Sequence, residues 1–129
     1  MPETTIHFYR EEDGTVPFKD WLEQLAERHS KAHRKCIAYL LQLRAKGHLL
    51  QRPTAATLRD GIYELRPSYQ GVHYRILYGF AGKDLVVVSH GITKERLVPP
   101  QEIDKAAARL AKYQRDSKKH GYPEDAIDG

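Results

Sequence analysis

The sequence predicts a small α+β domain with the element order β-αα-βββ-α, in which a mainly antiparallel sheet carries its helices on one face. Three observations predict this fold. Apolar residues recur at helical spacing in three segments. Apolar and polar residues alternate between residues 62 and 89, as in half-buried strands. Turns containing proline and glycine separate those strands.

The first strand and a helical hairpin are predicted from the N-terminal third of the chain. Residues 5–10 alternate, so that Ile6 and Phe8 share a face. Pro17 suits the first turn of a helix whose apolar residues recur every three or four positions. A second helix is predicted from about residue 31 to residue 46, and Gly47 is a natural stop for it.

Three strands and a last helix are predicted from the rest of the chain. The strands are Ile62–Arg66, His73–Phe80 and Leu85–Ser89, and the helix opens near Pro99. Periodicity is lost after this helix. We therefore predict one domain over residues 1–115 and a flexible C-terminal tail over residues 116–129.

Length and composition exclude several classes of protein. A chain of 129 residues fits one domain with one core. No apolar run approaches the roughly 20 residues that span a bilayer, and the N-terminus does not read as a signal peptide. Cys36 is the only cysteine, so no internal disulfide can form, which fits a cytoplasmic location. The net charge of +4 permits a polyanionic partner without requiring one.

Common catalytic and metal motifs are missing. The chain has no phosphate-binding loop, no dinucleotide fingerprint and no Gly-x-Ser-x-Gly turn. Cys36 lies in a helical apolar pattern and is interpreted as a core residue. His29 and His33 are four residues apart and could share a helix face as zinc ligands do, but no third ligand follows at a recognisable spacing. We therefore expect no metal and no cofactor.

The notable chemistry is a set of cations on the predicted sheet. Arg75 lies in mid-strand, opposite an apolar and aromatic face, and Arg66 shares its side by the same alternation. Guanidinium groups bind phosphate with two parallel hydrogen bonds. An ion pair between Arg75 and Glu64, which shares that side, is the alternative. The other candidates near the strand ends are His73, His90, Lys94 and Arg96, with Tyr69 in a turn.

Three motifs in order resemble a known family. They are Gly61-Ile-Tyr-Glu-Leu-Arg66, Tyr74-Arg-Ile-Leu-Tyr78 and His90-Gly-Ile-Thr-Lys94, followed by Pro99 and by Glu102-Ile103. Together they resemble the RelE/ParE superfamily of type II toxins, in particular its HigB-like, phage-derived branch. The resemblance extends from the first strand to about residue 113.

The resemblance implies a RelE-like fold and a small cytoplasmic toxin. Such toxins are neutralised by an antitoxin, often a helix-turn-helix protein. Many of them act as endoribonucleases that cut mRNA on the ribosome without a metal, the 2′-hydroxyl attacking the adjacent phosphate. By the same resemblance, Arg75 would bind the scissile phosphate, Arg66 would be a second phosphate contact, and Lys94 matches the first lysine after the last strand. Glu95 replaces the family's usual second lysine, and Arg96 follows one residue later.

The remaining site residues are assigned on the same basis. His73 or His90 would move the proton, because a histidine titrates near neutral pH. Some relatives have a catalytic tyrosine near the C-terminus. Tyr113 falls on the apolar stripe of the last helix, so we interpret it as a core residue. The residues expected to contact RNA are Arg59, Arg96 and Tyr69.

Two other functions remain open. A ParE-like protein would have the same fold but would inhibit DNA gyrase by binding, without catalysis. An inactive remnant that binds nucleic acid would show strongly salt-dependent affinity and no product. Primer extension on mRNA in the ribosomal A site would distinguish mRNA cleavage from gyrase inhibition and from inactive nucleic-acid binding.

Overall fold

One seven-stranded sheet with helices on both faces forms the fold. The structure is a computed structural model, and it describes residues 3–93 and 96–123. The helices are α1 (Pro17–Arg28), α2 (Ser30–Lys46), α3 (Pro100–Arg115) and the short α4 (Ser117–His120), and a 3₁₀ turn follows α2 at Gly47–Leu49. The strands are β1 (Thr5–Tyr9), β2 (Ala55–Thr57), β3 (Ile62–Leu65), β4 (Ser68–Tyr69), β5 (Val72–Gly82), β6 (Leu85–Thr93) and β7 (Gly121–Pro123).

The sheet is mixed but mostly antiparallel. Its strand order is β2-β3-β5-β6-β1-β7, with β4 paired to the start of β5. Only β1 and β6 run parallel, and the other pairs are antiparallel. The predicted α+β class and the order of its main elements are confirmed. The short strands β2, β4 and β7 and the helix α4 were not predicted, since two to four residues carry little periodicity.

The main core lies between the sheet and the hairpin of α1 and α2. Phe8 of β1 meets Phe18 of α1 edge to face, with 4.9 Å between ring centroids. Tyr74, Ile76 and Tyr78 of β5 point into the same core, as the alternation predicted. Leu40 is fully buried among them from α2. The predicted packing of the helical hairpin on the aromatic face is therefore confirmed.

The third helix lies on the opposite face, where we expected an open surface. Ile103 and Ala106 of α3 pack against Ile62 and Leu77, and Tyr113 packs farther along against the other side of β1. The prediction that all helices share one face is wrong in this respect. The reason is that the central strands carry apolar residues on both faces, so Leu77 must be buried on one face just as Ile76 is on the other.

The segment after α3 is also more regular than predicted. Strand β7 pairs antiparallel with β1, with Tyr122 opposite Phe8. His120 is buried, and its ring stacks on Tyr9 at 5.2 Å. Residues 117–123 are thus a helix and a strand rather than a tail, because their aromatic rings cover the edge strand. Residues 124–129 of the predicted tail lie outside the described residues.

A β-bulge in β6 sets the direction of two polar side chains. Leu77 pairs with His90 and Tyr78 pairs with Val88, so Ser89 is an extra residue without a partner. Ser89 and His90 consequently both contact side chains of α3. The strand continues to Thr93, four residues beyond the predicted end. Across the described ranges, no helix has the length and apolar character needed to cross a bilayer.

Candidate functional site

Arg75 lies at the centre of the predicted site but is buried. Only 4% of the residue is exposed. Its Nε is 2.9 Å from a carboxylate oxygen of Glu64, its Nη1 donates to the carbonyl of Tyr74 at 3.0 Å, and its Nη2 donates to the carbonyl of Arg96 at 3.3 Å. The structure thus contains the ion pair that the sequence left as an alternative. All three guanidinium nitrogens are engaged by protein groups.

The register of β3 and β5 explains why Glu64 reaches Arg75. Glu64 pairs with Leu77, so Arg75 is its diagonal neighbour on the same face. Burial lowers the pKa of Arg75, and the charge of Glu64 opposes that effect. The guanidinium remains protonated, since arginine is not deprotonated inside proteins. The ion pair therefore keeps a full positive charge inside the fold.

Arg66 is the accessible cation beside this pair. Leu65 pairs with Ile76, and the amide of Tyr74 donates to the carbonyl of Pro67, which places Arg66 opposite the arginine of β5. The proximity of Arg66 contributes to the lowered pKa of that buried arginine. Arg66 is half-buried and forms no ion pair with any residue that the structure describes. Two guanidinium groups thus share one face, and within residues 3–93 and 96–123 Glu64 is the one carboxylate that forms an ion pair with either of them.

His90 belongs to a polar network beneath α3. Its Nε2 lies 2.8 Å from Oε1 of Glu102, and its Nδ1 lies 2.7 Å from the hydroxyl of Ser89. Burial lowers the pKa of His90 to about 4, against the opposing effect of Glu102, so the ring is neutral at pH 7. A carboxylate only accepts, hence Nε2 carries the proton and Nδ1 accepts from Ser89. Arg109 lies 3.3 Å from the same Nδ1 and pairs with Glu11 at 3.1 Å.

This network could move a proton in principle, but α3 covers it. Neutral imidazole with a free acceptor is a base, yet the acceptor nitrogen of His90 is already engaged, and the residue is 8% exposed. His73, the other candidate, is exposed and pairs with Ser68. His90 is opposite Leu77, four residues farther along β5, which is roughly 13 Å at the usual rise per residue. The structure therefore does not bring the two histidines together.

Arg59 anchors α3 instead of facing a ligand. It pairs with Asp60 at 2.6 Å and with Asp104 at 2.8 Å, and it donates to the carbonyl of Pro100 at 3.1 Å. These contacts join the turn before β3 to the start of α3. The prediction that Arg59 is an RNA contact is not supported by this geometry, because its donors are committed within the protein.

The other predicted residues lie around the same end of the sheet. Arg96 is exposed, and its carbonyl is the acceptor for the buried arginine of β5. Tyr69 is half-buried and lines a cavity on the opposite face, beside α2. Lys94 lies outside the described residues, so its predicted role stays a prediction. Tyr113 is 3% exposed and its hydroxyl bonds to Nδ1 of His7 at 2.8 Å, which confirms it as a core residue.

Sequence reasoning missed Ser89, Arg109 and Glu11. Arg109 lies on the stripe of α3 that faces the sheet, three residues after Ala106 and four before Tyr113. A cation at an apolar position of an amphipathic helix was a usable signal for a buried polar contact. Ser89 gave no such signal, because its direction depends on the bulge.

The donor groups do not form a metal site in the part of the chain that the structure describes. No three His, Cys, Asp or Glu side chains there are grouped to hold an ion. His29 is exposed, and burial lowers the pKa of the half-buried His33. Cys36 is fully buried, and burial raises the pKa of its thiol to about 12. It is a core residue, as predicted, and not a thiolate nucleophile.

Comparison with known protein families assigns the chain. The profile described as phage derived protein Gp49-like (DUF891) matches residues 20–112, which run from within α1 to within α3 and include all three sequence motifs. The chain belongs to the Gp49-like family. A comparison with curated proteins gave no match. The Gp49-like family is HigB-like and falls in the RelE/ParE toxin superfamily, so the resemblance seen in the motifs is confirmed at the level of the family.

Proposed function

We propose that this Gp49-like protein is the toxin of a type II toxin-antitoxin system and cleaves mRNA on the ribosome without a metal. One observation carries the proposal within this family: Arg66 and Arg75 share one sheet face, and among the described residues Glu64 is the carboxylate that pairs with them. The surplus charge suits a phosphate. In the reaction the 2′-hydroxyl attacks the adjacent phosphorus, and the 5′-oxygen leaves.

The two arginines have different roles in this proposal. Arg66 is the phosphate contact, because its guanidinium is the accessible one of the pair. Arg75 is a positioning residue, since its three nitrogens bind Glu64, the carbonyl of Tyr74 and the carbonyl of Arg96. It thereby ties β3 to the connection between β6 and α3. Lys94 follows β6 directly in sequence and would complete the cationic set.

Proton transfer is assigned to His73 rather than to His90. His73 is exposed and, by strand alternation, is on the same side of β5 as Arg75, two residues away. Histidine is the side chain that most often acts as a general base, so His73 would accept the 2′-hydroxyl proton. His90 remains neutral under α3, with both ring nitrogens bonded. Its role here is to hold α3 on the sheet.

Cleavage by an Arg66→Ala variant tests the proposal. The variant should lose about 10²–10³ in the rate of A-site mRNA cleavage, measured by primer extension, because one preorganised cation is lost. Arg66→Lys should keep part of the rate, since it retains the charge without the bidentate geometry. Arg115→Ala is the matched control, an exposed arginine at the end of α3. A folded Arg66→Ala protein that cleaves at the wild-type rate would refute the proposal.

A second function is favoured by one observation. Arg75 is already paired and His90 is covered, so neither contacts a substrate in this arrangement. A ParE-like protein would inhibit gyrase by binding alone, so it does not require catalytic side chains that contact a substrate. Accumulating DNA breaks without mRNA cuts would establish this function. Salt-dependent RNA binding with neither product would indicate an inactive remnant.

The proposed function includes an antitoxin and a cytoplasmic site of action. The antitoxin would be a helix-turn-helix protein encoded beside this chain. Co-expression of the neighbouring reading frame should restore growth and give a complex that co-purifies. Growth inhibition that the neighbouring product does not relieve would contradict this partner.

A further inference from the structure

Three charged side chains lie together on the α3 face of the sheet. Glu64 and Arg66 flank Leu65 at the end of β3, so both point to the same side. Leu65 pairs with Ile76, and the next step of this register places Arg66 opposite Arg75. We name Glu64, Arg66 and Arg75 the charge trio. It has one net positive charge, because one carboxylate accompanies two guanidinium groups.

Glu64 is a buried acid next to the accessible arginine. It is 8% exposed, and its Oε1 lies 2.9 Å from Nε of Arg75. That contact is an ion pair without an aligned hydrogen bond, since Oε1 accepts none from the residues that the structure describes. Two residues along one strand separate Glu64 from Arg66, which is about 7 Å at the usual rise. The carboxylate would therefore repel a phosphate that Arg66 binds.

The strands offer no second acid at this position. Within the described residues, Glu64 is the only Asp or Glu in the seven strands. On α3, which covers the same face, Glu102 pairs with His90, and Asp104 pairs with Arg59. Glu64 thus sets the net charge that a phosphate bound by the trio would meet.

The charge of a phosphate depends on how many of its oxygens are esterified. An internal phosphodiester has one negative charge, whereas a terminal phosphomonoester has nearly two at pH 7, because its second pKa is about 6. Attraction to a cationic site grows in proportion to the charge of the anion, but the cost of removing the anion from water grows with the square of that charge. A half-buried site with one surplus positive charge therefore favours the diester.

We propose that Glu64 is a specificity-determining residue that makes the charge trio select internal phosphodiesters over terminal phosphomonoesters. The inference rests on the proposed function, in which Arg66 is the phosphate contact. It goes beyond that function because Glu64 acquires a role in the choice of substrate, in addition to its pairing with Arg75. The site would accept a linkage inside an RNA strand and reject the phosphate at an end.

Two thymidine ligands that differ by one methyl group test the inference. Thymidine 3′-monophosphate is a monoester, and its methyl ester is a diester. Neither ligand has a 2′-hydroxyl, so the proposed reaction cannot cleave them. Titrations of the full chain, followed by nuclear magnetic resonance, give both dissociation constants. At pH 7.5 the wild type should bind the diester at least as tightly as the monoester.

Variants show whether the charge of Glu64 sets the ratio of the two affinities. Glu64→Gln should shift the ratio about tenfold towards the monoester, because the trio then has two net positive charges. The double variant Glu64→Met with Arg75→Met should keep the wild-type ratio, since it removes one charge of each sign. Glu27→Gln is the matched control, because Glu27 is an exposed acid on α1, across the sheet. A purely structural role of Glu64 would change both affinities without changing their ratio.

A measurement on the wild type alone keeps the inference testable where Glu64→Gln does not fold. Thymidine 3′-monophosphate gains its second charge between pH 5 and pH 7.5. Over this range, the affinity for the monoester should not rise relative to that for the diester. On the same side of β5 and β6, His73 is exposed and His90 is covered by α3. The diester, measured at each pH, corrects for their protonation.

Four outcomes would overturn the inference. They are tighter wild-type binding of the monoester than of the diester, a wild-type preference for the monoester that rises with pH, an unchanged ratio in folded Glu64→Gln, and an equal shift in Glu27→Gln or in the double variant. An unchanged ratio in Glu64→Gln together with lost cleavage by Arg66→Ala refutes only the selectivity. The expected shift in a protein that cuts no mRNA supports the role of Glu64 and refutes the proposed cleavage.

Discussion

The buried ion pair of Glu64 and Arg75 gives the sharpest prediction about stability. Their side chains are 10% and 5% exposed, so solvent screens them little. Glu64→Met leaves a buried guanidinium without its carboxylate and close enough to Arg66 to be repelled by it. Arg75→Met leaves a buried carboxylate. Each single variant should lose about 3–5 kcal/mol of unfolding free energy, because an uncompensated charge stays inside the fold.

The double variant should be much less affected. Glu64→Met with Arg75→Met removes both charges and keeps comparable volume, and such replacements of buried pairs are often neutral or stabilising. We expect an unfolding free energy within about 1 kcal/mol of the wild type. Urea denaturation of the wild type, the two single variants and the double variant, followed by circular dichroism, completes a double-mutant cycle. Single-variant losses that add in the double variant to within about 0.5 kcal/mol would refute the coupling.

The same cycle separates folding from activity. Arg75→Ala alone is a poor test of catalysis, because it buries the unpaired carboxylate of Glu64 and destabilises the protein. The double methionine variant avoids this problem. If Arg75 only positions β3 and the connection after β6, the folded double variant should retain measurable mRNA cleavage, whereas Arg66→Ala should not. Complete loss of cleavage in the folded double variant would instead make Arg75 a phosphate ligand.

Three further predictions concern His90, Tyr113 and the C-terminal segment. Folding lowers the pKa of His90 from 6.5 to about 4, so on acidification the unfolded state binds this proton before the folded state does. The unfolding free energy should therefore decline by on the order of 3 kcal/mol as the pH falls from 6.5 to 4. His90→Gln should flatten that decline in urea titrations, and parallel curves would contradict the assignment. Tyr113→Phe should cost about 1 kcal/mol, the bond to His7, and leave growth inhibition unchanged; lost toxicity in a folded variant would make the hydroxyl functional. Truncation after Asp116 removes strand β7, two aromatic stacks and the hydrogen bonds of Arg10 with residues 118–120, and should cost at least about 2–4 kcal/mol by urea denaturation; an unchanged midpoint would show that the segment is dispensable.

The fold could be predicted because its main elements have clear periods. The stripe of α1 and the alternation of β5 both point to the core between sheet and hairpin. The position of α3 could not be predicted in the same way. In the sequence, Leu77 is a single apolar residue on the polar side of its strand. The tertiary fold shows that it belongs to a second core with Ile62 and Ile103. The edge strands were missed because pairing, not sequence period, defines them.

The types of residue at the candidate site could be predicted, but not their partners. The side shared by Arg66, Arg75 and Glu64 follows from strand alternation. Whether the Arg75 guanidinium pairs with a carboxylate or binds a ligand depends on distances that strand alternation does not give. Arg59 was predicted to contact RNA, and its partner Asp104, 45 residues away in sequence, could not be identified from a local pattern. The direction of Ser89 depends on a bulge that no local signal marks.

The distribution of ion pairs decides where a polyanion can bind. On the α3 face, several cations are paired with nearby carboxylates, Arg66 being an exception among the described residues, and a surface of internal ion pairs offers little net charge. The matched pairs are Arg59 with Asp104, Arg75 with Glu64, Arg109 with Glu11 and Lys112 with Glu12. The cations at the start of α2 have no such partners among the described residues. In the proposed function, the attraction for RNA is therefore expected from unpaired cations such as Arg66 rather than from the strand interior. It follows that Arg66→Ala should lower the salt dependence of RNA binding, whereas the Glu64 and Arg75 double variant should leave it nearly unchanged.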